Sequence, residues 1–260
     1  MLGSHNSCTF DKPLSCFSNI FIPWFRNQSL TIEQQLQLGV RWFDLRLSYY
    51  NNDVYMSHTF IMNTPFESIM ESFKNTVPVG ETIIIQLRID FKNLSEQTNV
   101  CLLSNTILEK YSDLFLLENE VNEDAIFTKE FSPRLSKKQI LLYSSDGTIK
   151  NRYTILKDIM PTVSFWSRGT IAACAAALED LEGEFDKQSD KQSDKQSNNY
   201  KYLFPNRRMI IFDYSSMVPL CITDRQQTAL IKKYTDAIKK ANISIFAGNY
   251  IQTICDLLDY

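Results

Sequence analysis

Apolar and polar positions along the chain alternate between two periods. Stretches rich in β-branched and aromatic residues predict strands at Val40–Tyr50, Val54–His58, Thr82–Ile89, Gln139–Ser144, Thr162–Trp166, Met209–Tyr214 and Ile243–Ala247. Between them, helical spacing predicts Thr31–Leu38, Pro65–Asn75, Leu94–Tyr111, Thr170–Leu181 and Asp224–Ala241. In the last of these, Thr223 stands where a cap would, and Ala229, Leu230, Tyr234, Ala237 and Ile238 recur on one face. Strands that alternate with helices imply a mostly parallel sheet, and the count suits a distorted (β/α)8 TIM-like barrel better than an open sheet. Seven strands are predicted, so the eighth is expected before His5, where only four residues remain.

Length and composition fit this picture. The 260 residues are expected to form a single α/β domain, 1–260, and 44 % apolar content supplies a substantial core. A polar segment at 186–199, in which Asp-Lys-Gln-Ser recurs, has no apolar residues to bury. It reads as a spacer loop, with a binding role as the alternative. A net charge of −3 lacks the basic footprint of a nucleic-acid partner. No apolar run approaches the roughly 18 residues of a membrane span, and the N-terminus does not read as a signal peptide. Cys8, Cys16, Cys101, Cys174, Cys221 and Cys255 show no C-x-x-C spacing and read as free thiols of a reducing compartment. A soluble, cytoplasmic monomer is expected.

Candidate chemistry concentrates near the N-terminus. The chain has two histidines. His5 lies in Gly3-Ser4-His5-Asn6-Ser7, and His58 ends the strand-like run before Thr59. Imidazole titrates near neutrality, so a pair can take one proton and deliver another in a single displacement. Between them, Leu38-Gly39-Val40-Arg41-Trp42-Phe43-Asp44-Leu45-Arg46 puts Asp44 and Arg46 two apart and hence on one strand face. A guanidinium can pair bidentately with phosphate oxygens, while the carboxylate orients it or a histidine. A structural ion pair is the other reading.

These segments, in this order, resemble the X domain of phosphatidylinositol-specific phospholipases C. The match is specific over Gly3–His58 and continues more weakly through Thr82–Asp90, Met209–Ser215 and Phe246–Ile251. The resemblance implies a distorted barrel that cleaves a phosphatidylinositol-type lipid at a membrane surface. The inositol 2-hydroxyl attacks phosphorus, leaving diacylglycerol and an inositol cyclic phosphate. By position, His5 would be the general base, His58 the general acid, Arg46 the stabiliser of phosphoryl charge and Asp44 its partner. Arg46 stands where calcium-dependent members carry an acidic ligand and bacterial members an arginine. Arg88 stands where the bacterial branch has a lysine. The resemblance therefore implies no metal and no cofactor, since calcium needs several oxygen ligands.

Asp213 and Tyr214 resemble the inositol-contacting pair of the bacterial branch, although Tyr214 could equally pack at the barrel rim. Trp24 and Phe25, in Ile20–Phe25, fall where bacterial relatives expose an apolar rim to the bilayer; a core role is equally open. Three departures bear on function. Asn6 stands where bacterial relatives usually have Asp, and Asn249 where many carry the Asp that supports the base histidine. The run Leu141-Leu142-Tyr143-Ser144 lacks the basic residue of bacterial headgroup sites. The competing expectations are a barrel that binds inositol phosphates or headgroups without turnover, and a metal-dependent glycerophosphodiester phosphodiesterase. The latter needs acidic ligands where Asn6, Arg46 and Arg88 stand.

Overall fold

The structure is a computed structural model and describes residues 1–15, 26–90, 93–127, 139–144, 149–165, 170–186, 202–212, 220–241 and 243–249. In chain order its elements are β1 (Leu2–Ser4), α1 (Ile32–Gln37), β2 (Val40–Tyr50), β3 (Asp53–His58), β4 (Phe60–Pro65), α2 (Phe66–Thr76), β5 (Thr82–Ile89) and α3 (Leu94–Lys110). There follow α4 (Glu123–Phe127), β6 (Gln139–Tyr143), β7 (Thr154–Ile155), β8 (Thr162–Ser164), α5 (Ile171–Glu179), β9 (Met209–Phe212), α6 (Leu220–Lys233), α7 (Thr235–Lys240) and β10 (Ile245–Gly248). Short 3-10 turns occupy Ser112–Leu114 and Glu118–Glu120.

Eight strands run in the order β7-β6-β5-β2-β1-β10-β9-β8. Every neighbouring pair on that path is parallel. The chain is thus a distorted (β/α)8 barrel. Its first and last strands pair, and among the described residues no ladder joins β7 to β8. β3 and β4 stand off the barrel as antiparallel additions to the top of β2.

Strand alternation sorts the apolar side chains into two cores. One fills the barrel, with Trp42, Ile84, Leu141, Tyr143, Met209, Ile211, Ile245 and Ala247. The other, with Phe43, Leu45, Ile83, Ile85, Leu142, Ile210, Phe212 and Phe246, lies between barrel and helices. The interior leaves no room at Gly3. A Cβ there would approach Ala247 Cβ to 2.8 Å and Trp42 Cε3 to 3.0 Å. Leu2 belongs to the outer core, so Gly3 and then His5 share the inner face.

The helices follow from caps and stripes. Thr31 and Gln34 form a capping box on α1, and Gly39, at φ +88, turns the chain into β2. On α2 the buried residues Phe66, Ile69, Met70 and Phe73 lie three and four apart. Phe73 meets Phe43 edge-on at 5.1 Å. Truncating such a buried aromatic to Ala costs about 3–5 kcal/mol. Asn93 caps α3 and Thr170 caps α5 through their side chains. None of the described helices is long and apolar enough to cross a membrane. Cys8 and Cys174 are buried and Cys101 is half-buried.

Three details differ from the sequence reading. Val54–His58 is a strand, but it belongs to the antiparallel hairpin and not to the barrel wall. The barrel is completed by β1, the strand expected before His5, and by the two-residue β7, which was not expected. The predicted helix Asp224–Ala241 is two helices, and the first begins at Leu220, so Thr223 is not its cap. The break follows Tyr234, where Thr235 Oγ1 donates to Ile231 O at 2.9 Å and supplies that carbonyl with a side-chain donor.

Candidate active site

The C-terminal ends of β1, β2, β5 and β10 converge, and the polar residues of the sequence motifs gather there. His5 and Asn249 follow β1 and β10 directly on the inner face. Their side chains meet, with His5 Nδ1 to Asn249 Oδ1 at 3.0 Å. Asn6 takes φ 48, a left-handed turn that Asn tolerates better than most residues. Its Nδ2 lies 3.1 Å from His5 Nδ1 and 3.2 Å from His58 Nε2, so one amide bridges the two imidazoles. All four side chains are buried.

The small polar residues around them fix this turn. Ser7 Oγ donates to Ser4 O at 2.7 Å and accepts from Asp44 N at 3.0 Å, which ties the end of β1 to β2. Thr9 Oγ1 donates to Asn6 O and accepts from the backbone of Asn27 and Gln28. Gln28 Nε2 then donates to His5 O at 3.0 Å and Gly248 O at 2.9 Å, holding the two chain segments that carry His5 and Asn249. Nothing in the sequence pattern singled out Gln28, whose role depends on the carbonyls that folding brings together.

Asp44 and Arg46 sit on the inner face of β2, opposite Gln86 and Arg88 of β5 in register. Asp44 Oδ2 lies 3.4 Å from His5 Nε2 and 3.6 Å from Arg46 Nη2. Arg46 Nη2 is itself 3.5 Å from His5 Nε2. Burial alone would push the Asp44 carboxyl up, but Arg46, His5 and Arg88 together with the Asn6 N–H outweigh it. The net effect holds Asp44 below its usual range. With the Gln86 amide turned to face Arg88, its Oε1 accepts from Nη2 at 2.8 Å and Nε at 3.1 Å. Below them, Trp42 Nε1 donates to the Tyr143 hydroxyl at 3.1 Å, and burial raises that phenol well above its usual range.

His58 reaches the site because β2 overshoots the barrel and turns back. Asn51 and Asn52 both adopt positive φ, 48 and 63, as a two-residue hairpin turn requires. β3 then descends to His58 beside the mouth. A groove of about 800 Å³ opens next to Arg46, lined among others by Tyr49, Ser57, Thr59, Phe60 and Asp90. Asp90 was not among the residues the motifs singled out. It lies two positions beyond Arg88, and strand spacing was the available signal.

The structure thus brings together His5, Asn6, Asp44, Arg46, His58, Arg88 and Asn249. Trp24, Phe25, Asp213 and Tyr214 lie outside the described residues. Among the described residues no three His, Cys, Asp or Glu side chains are placed to share a metal ion. The carboxylate at the centre, Asp44, faces two arginines.

This is a (β/α)8 barrel with a histidine pair and an arginine–carboxylate pair at the C-terminal mouth of its strands. No family model matches the chain, and no curated protein does. Solved structures match its fold along nearly its whole length. The phosphatidylinositol-specific phospholipase C from Listeria monocytogenes aligns over 100 % of this chain and 91 % of its own, at 14 % identity and TM-score 0.63. A Staphylococcus aureus phosphatidylinositol-specific phospholipase C aligns over 96 % and 85 %, at 15 % identity and TM-score 0.61. The F249X mutant of the S. aureus enzyme covers the same shares at 14 % identity and TM-score 0.59. At these identities the likeness is one of fold.

Proposed function

We propose that this chain is a phosphodiesterase that cleaves phosphatidylinositol-type lipids by attack of the inositol 2-hydroxyl on phosphorus. The observation that carries the proposal is the meeting of the chain's two histidines across the Asn6 amide, beside the Asp44–Arg46 pair. Mere binding needs no such arrangement of two titrating groups.

Among the described residues each nitrogen of His5 has an acceptor and a donor nearby. In one tautomer Nδ1–H donates to Asn249 Oδ1 and the bare Nε2 faces Arg46 Nη2. In that tautomer Nε2 takes the proton of the 2-hydroxyl as its oxygen bonds to phosphorus. The imidazolium so formed has Asp44 Oδ2 at 3.4 Å. Arg46 stabilises the charge that gathers on the non-bridging oxygens; its Nε is buried and has no partner among the described residues. The bond from phosphorus to the diacylglycerol oxygen breaks, and that oxygen takes its proton from His58. The products are diacylglycerol and an inositol cyclic phosphate. Half a turn of the Asn6 amide puts its oxygen where Nδ2 lies, so that it accepts from the His5 Nδ1–H and from the protonated His58.

Arg88, Asp213 and Tyr214 are assigned to the headgroup, and Trp24 and Phe25 to the bilayer. No metal takes part in this scheme, because Arg46 and Arg88 supply the positive charge. The test is release of water-soluble headgroup from phosphatidylinositol vesicles, with and without chelator. Equal release in both is expected, with near-complete loss in Arg46→Asp. Activity that vanishes in chelator and returns with calcium would sink the metal-free scheme. The amides at Asn6 and Asn249 favour a second reading, a barrel that binds inositol phosphates without turnover. It predicts headgroup binding with no release under any condition.

A further inference from the structure

β3 and β4 are joined by a single residue, Thr59, with His58 paired to Phe60 across the turn. Thr59 takes φ 66. A β-branched side chain in the left-handed region is costly and persists only where its surroundings hold it there. The holder is Asp90, just beyond β5. Its carboxylate accepts from Ser57 Oγ at 3.2 Å, and the backbone N–H of Thr59 favours its charge. These are the two residues flanking His58. Asp90 is anchored in turn to the rising strand, for its own N–H donates to Leu47 O at 2.8 Å and Ser48 Oγ donates to its carbonyl. One residue therefore ties β2 to the end of β3 on both sides of the histidine.

We propose that Asp90 is a positioning residue for His58, clamping Ser57 and Thr59 so that the imidazole stays against Asn6. The clamp leaves the ring free to point into the site while fixing the backbone that carries it. A proton donor displaced by an ångström loses much of its effect, so such a device matters for turnover. Burial pushes the Asp90 carboxyl up despite the opposing pull of Arg46 and the Ser57 hydroxyl, which marks the cost of holding a carboxylate there. The part of the test that uses turnover rests on the phosphodiesterase reading; the spectroscopic part does not.

Because the chain has two histidines, ring-labelled protein gives two imidazole signal sets, assigned with His5→Ala. Asp90→Ala and Ser57→Ala are expected to shift the His58 ring resonances and leave those of His5 in place. Asp90→Asn is expected to reproduce the wild-type spectrum, since its oxygen can accept from Thr59 N–H and its amide can donate to Ser57 Oγ. In turnover, Asp90→Ala should lower kcat roughly tenfold to a hundredfold with KM nearly constant. Unmoved His58 resonances in Asp90→Ala would overturn the proposal. So would an Asp90→Asn spectrum displaced as far as that of Asp90→Ala, since charge and not geometry would then be responsible. A raised KM at constant kcat would make Asp90 a headgroup ligand instead. If Asp90→Ala does not fold, Ser57→Ala and Asp90→Asn carry the comparison. An inactive wild type would remove the phosphodiesterase reading, and the resonances would still decide the clamp.

Discussion

Asn249 meets His5 through an amide oxygen at 3.0 Å, a contact that the resemblance implied and the structure contains. A carboxylate there would favour the imidazolium that forms when His5 takes its proton. Asn249→Asp is therefore expected to raise kcat and to move the acid limb of the pH–rate profile to higher pH; an unchanged profile would refute it. The gain should be modest, because Asp44 already faces the other ring nitrogen. Sequence left open whether Asp44 orients Arg46 or a histidine, and the structure places it beside both. The two carboxylates of the site also have opposite linkage to pH. Asp44 is held low, so its contribution to stability is present above its unfolded pKa and is lost as pH falls through the folded one. Asp90 is held high, so its ionised form costs stability above the folded pKa, and that cost disappears as pH falls through it. Asp90→Asn should accordingly raise Tm at neutral pH, with the advantage shrinking toward acid. A constant difference across that range would contradict it.

Sequence reading located the long elements by their period, and the short strands β6, β8, β9 and β10 by their apolar, β-branched runs. β2, β5, α2 and α3 fall within a residue or two of expectation because eight or more positions repeat their pattern. β1 has three residues and β7 two, too few for any period, and only pairing with β2, β10 and β6 makes them strands. β4 carries Asn63 and Thr64, which sequence leaves outside any element, and ends on Pro65, which sequence reads as the start of the next helix; only the hairpin supplies a partner. Nor could the sequence distinguish a barrel strand from a hairpin strand at Val54–His58, since both alternate. The hairpin is what delivers His58, and its tightest point is Thr59. Thr59→Gly relieves about 1–2 kcal/mol of left-handed strain. Against this stands the roughly 0.5–1 kcal/mol of chain entropy that Gly adds. Tm should rise by about 1–3 °C, while kcat falls because the residue after His58 becomes mobile. A lowered Tm would show that Thr59 is not strained.

At the scale of the whole molecule, the site lies at the open mouth of a barrel whose proposed substrate sits in a bilayer, so the chain must dock mouth first. Its formal charge of −3 gives no attraction to anionic lipid. Docking must then come from apolar groups, and Trp24 and Phe25 are the residues the sequence offers. Two consequences follow for vesicle binding. Association driven by apolar insertion should be nearly indifferent to ionic strength, because screening acts on exposed charge. Burying one large aromatic side chain is worth roughly 1.5–3 kcal/mol, so Trp24→Ala should weaken vesicle binding about tenfold or more. The same variant should hydrolyse a soluble inositol cyclic phosphate at nearly the wild-type rate, because the histidine pair is untouched. A tryptophan that packs in the core gives the opposite pattern, in which Tm falls and both rates fall with it. Measuring Tm beside the two rates separates the cases: equal losses on vesicles and on the soluble substrate, with a lowered Tm, would rule out Trp24 as the membrane contact.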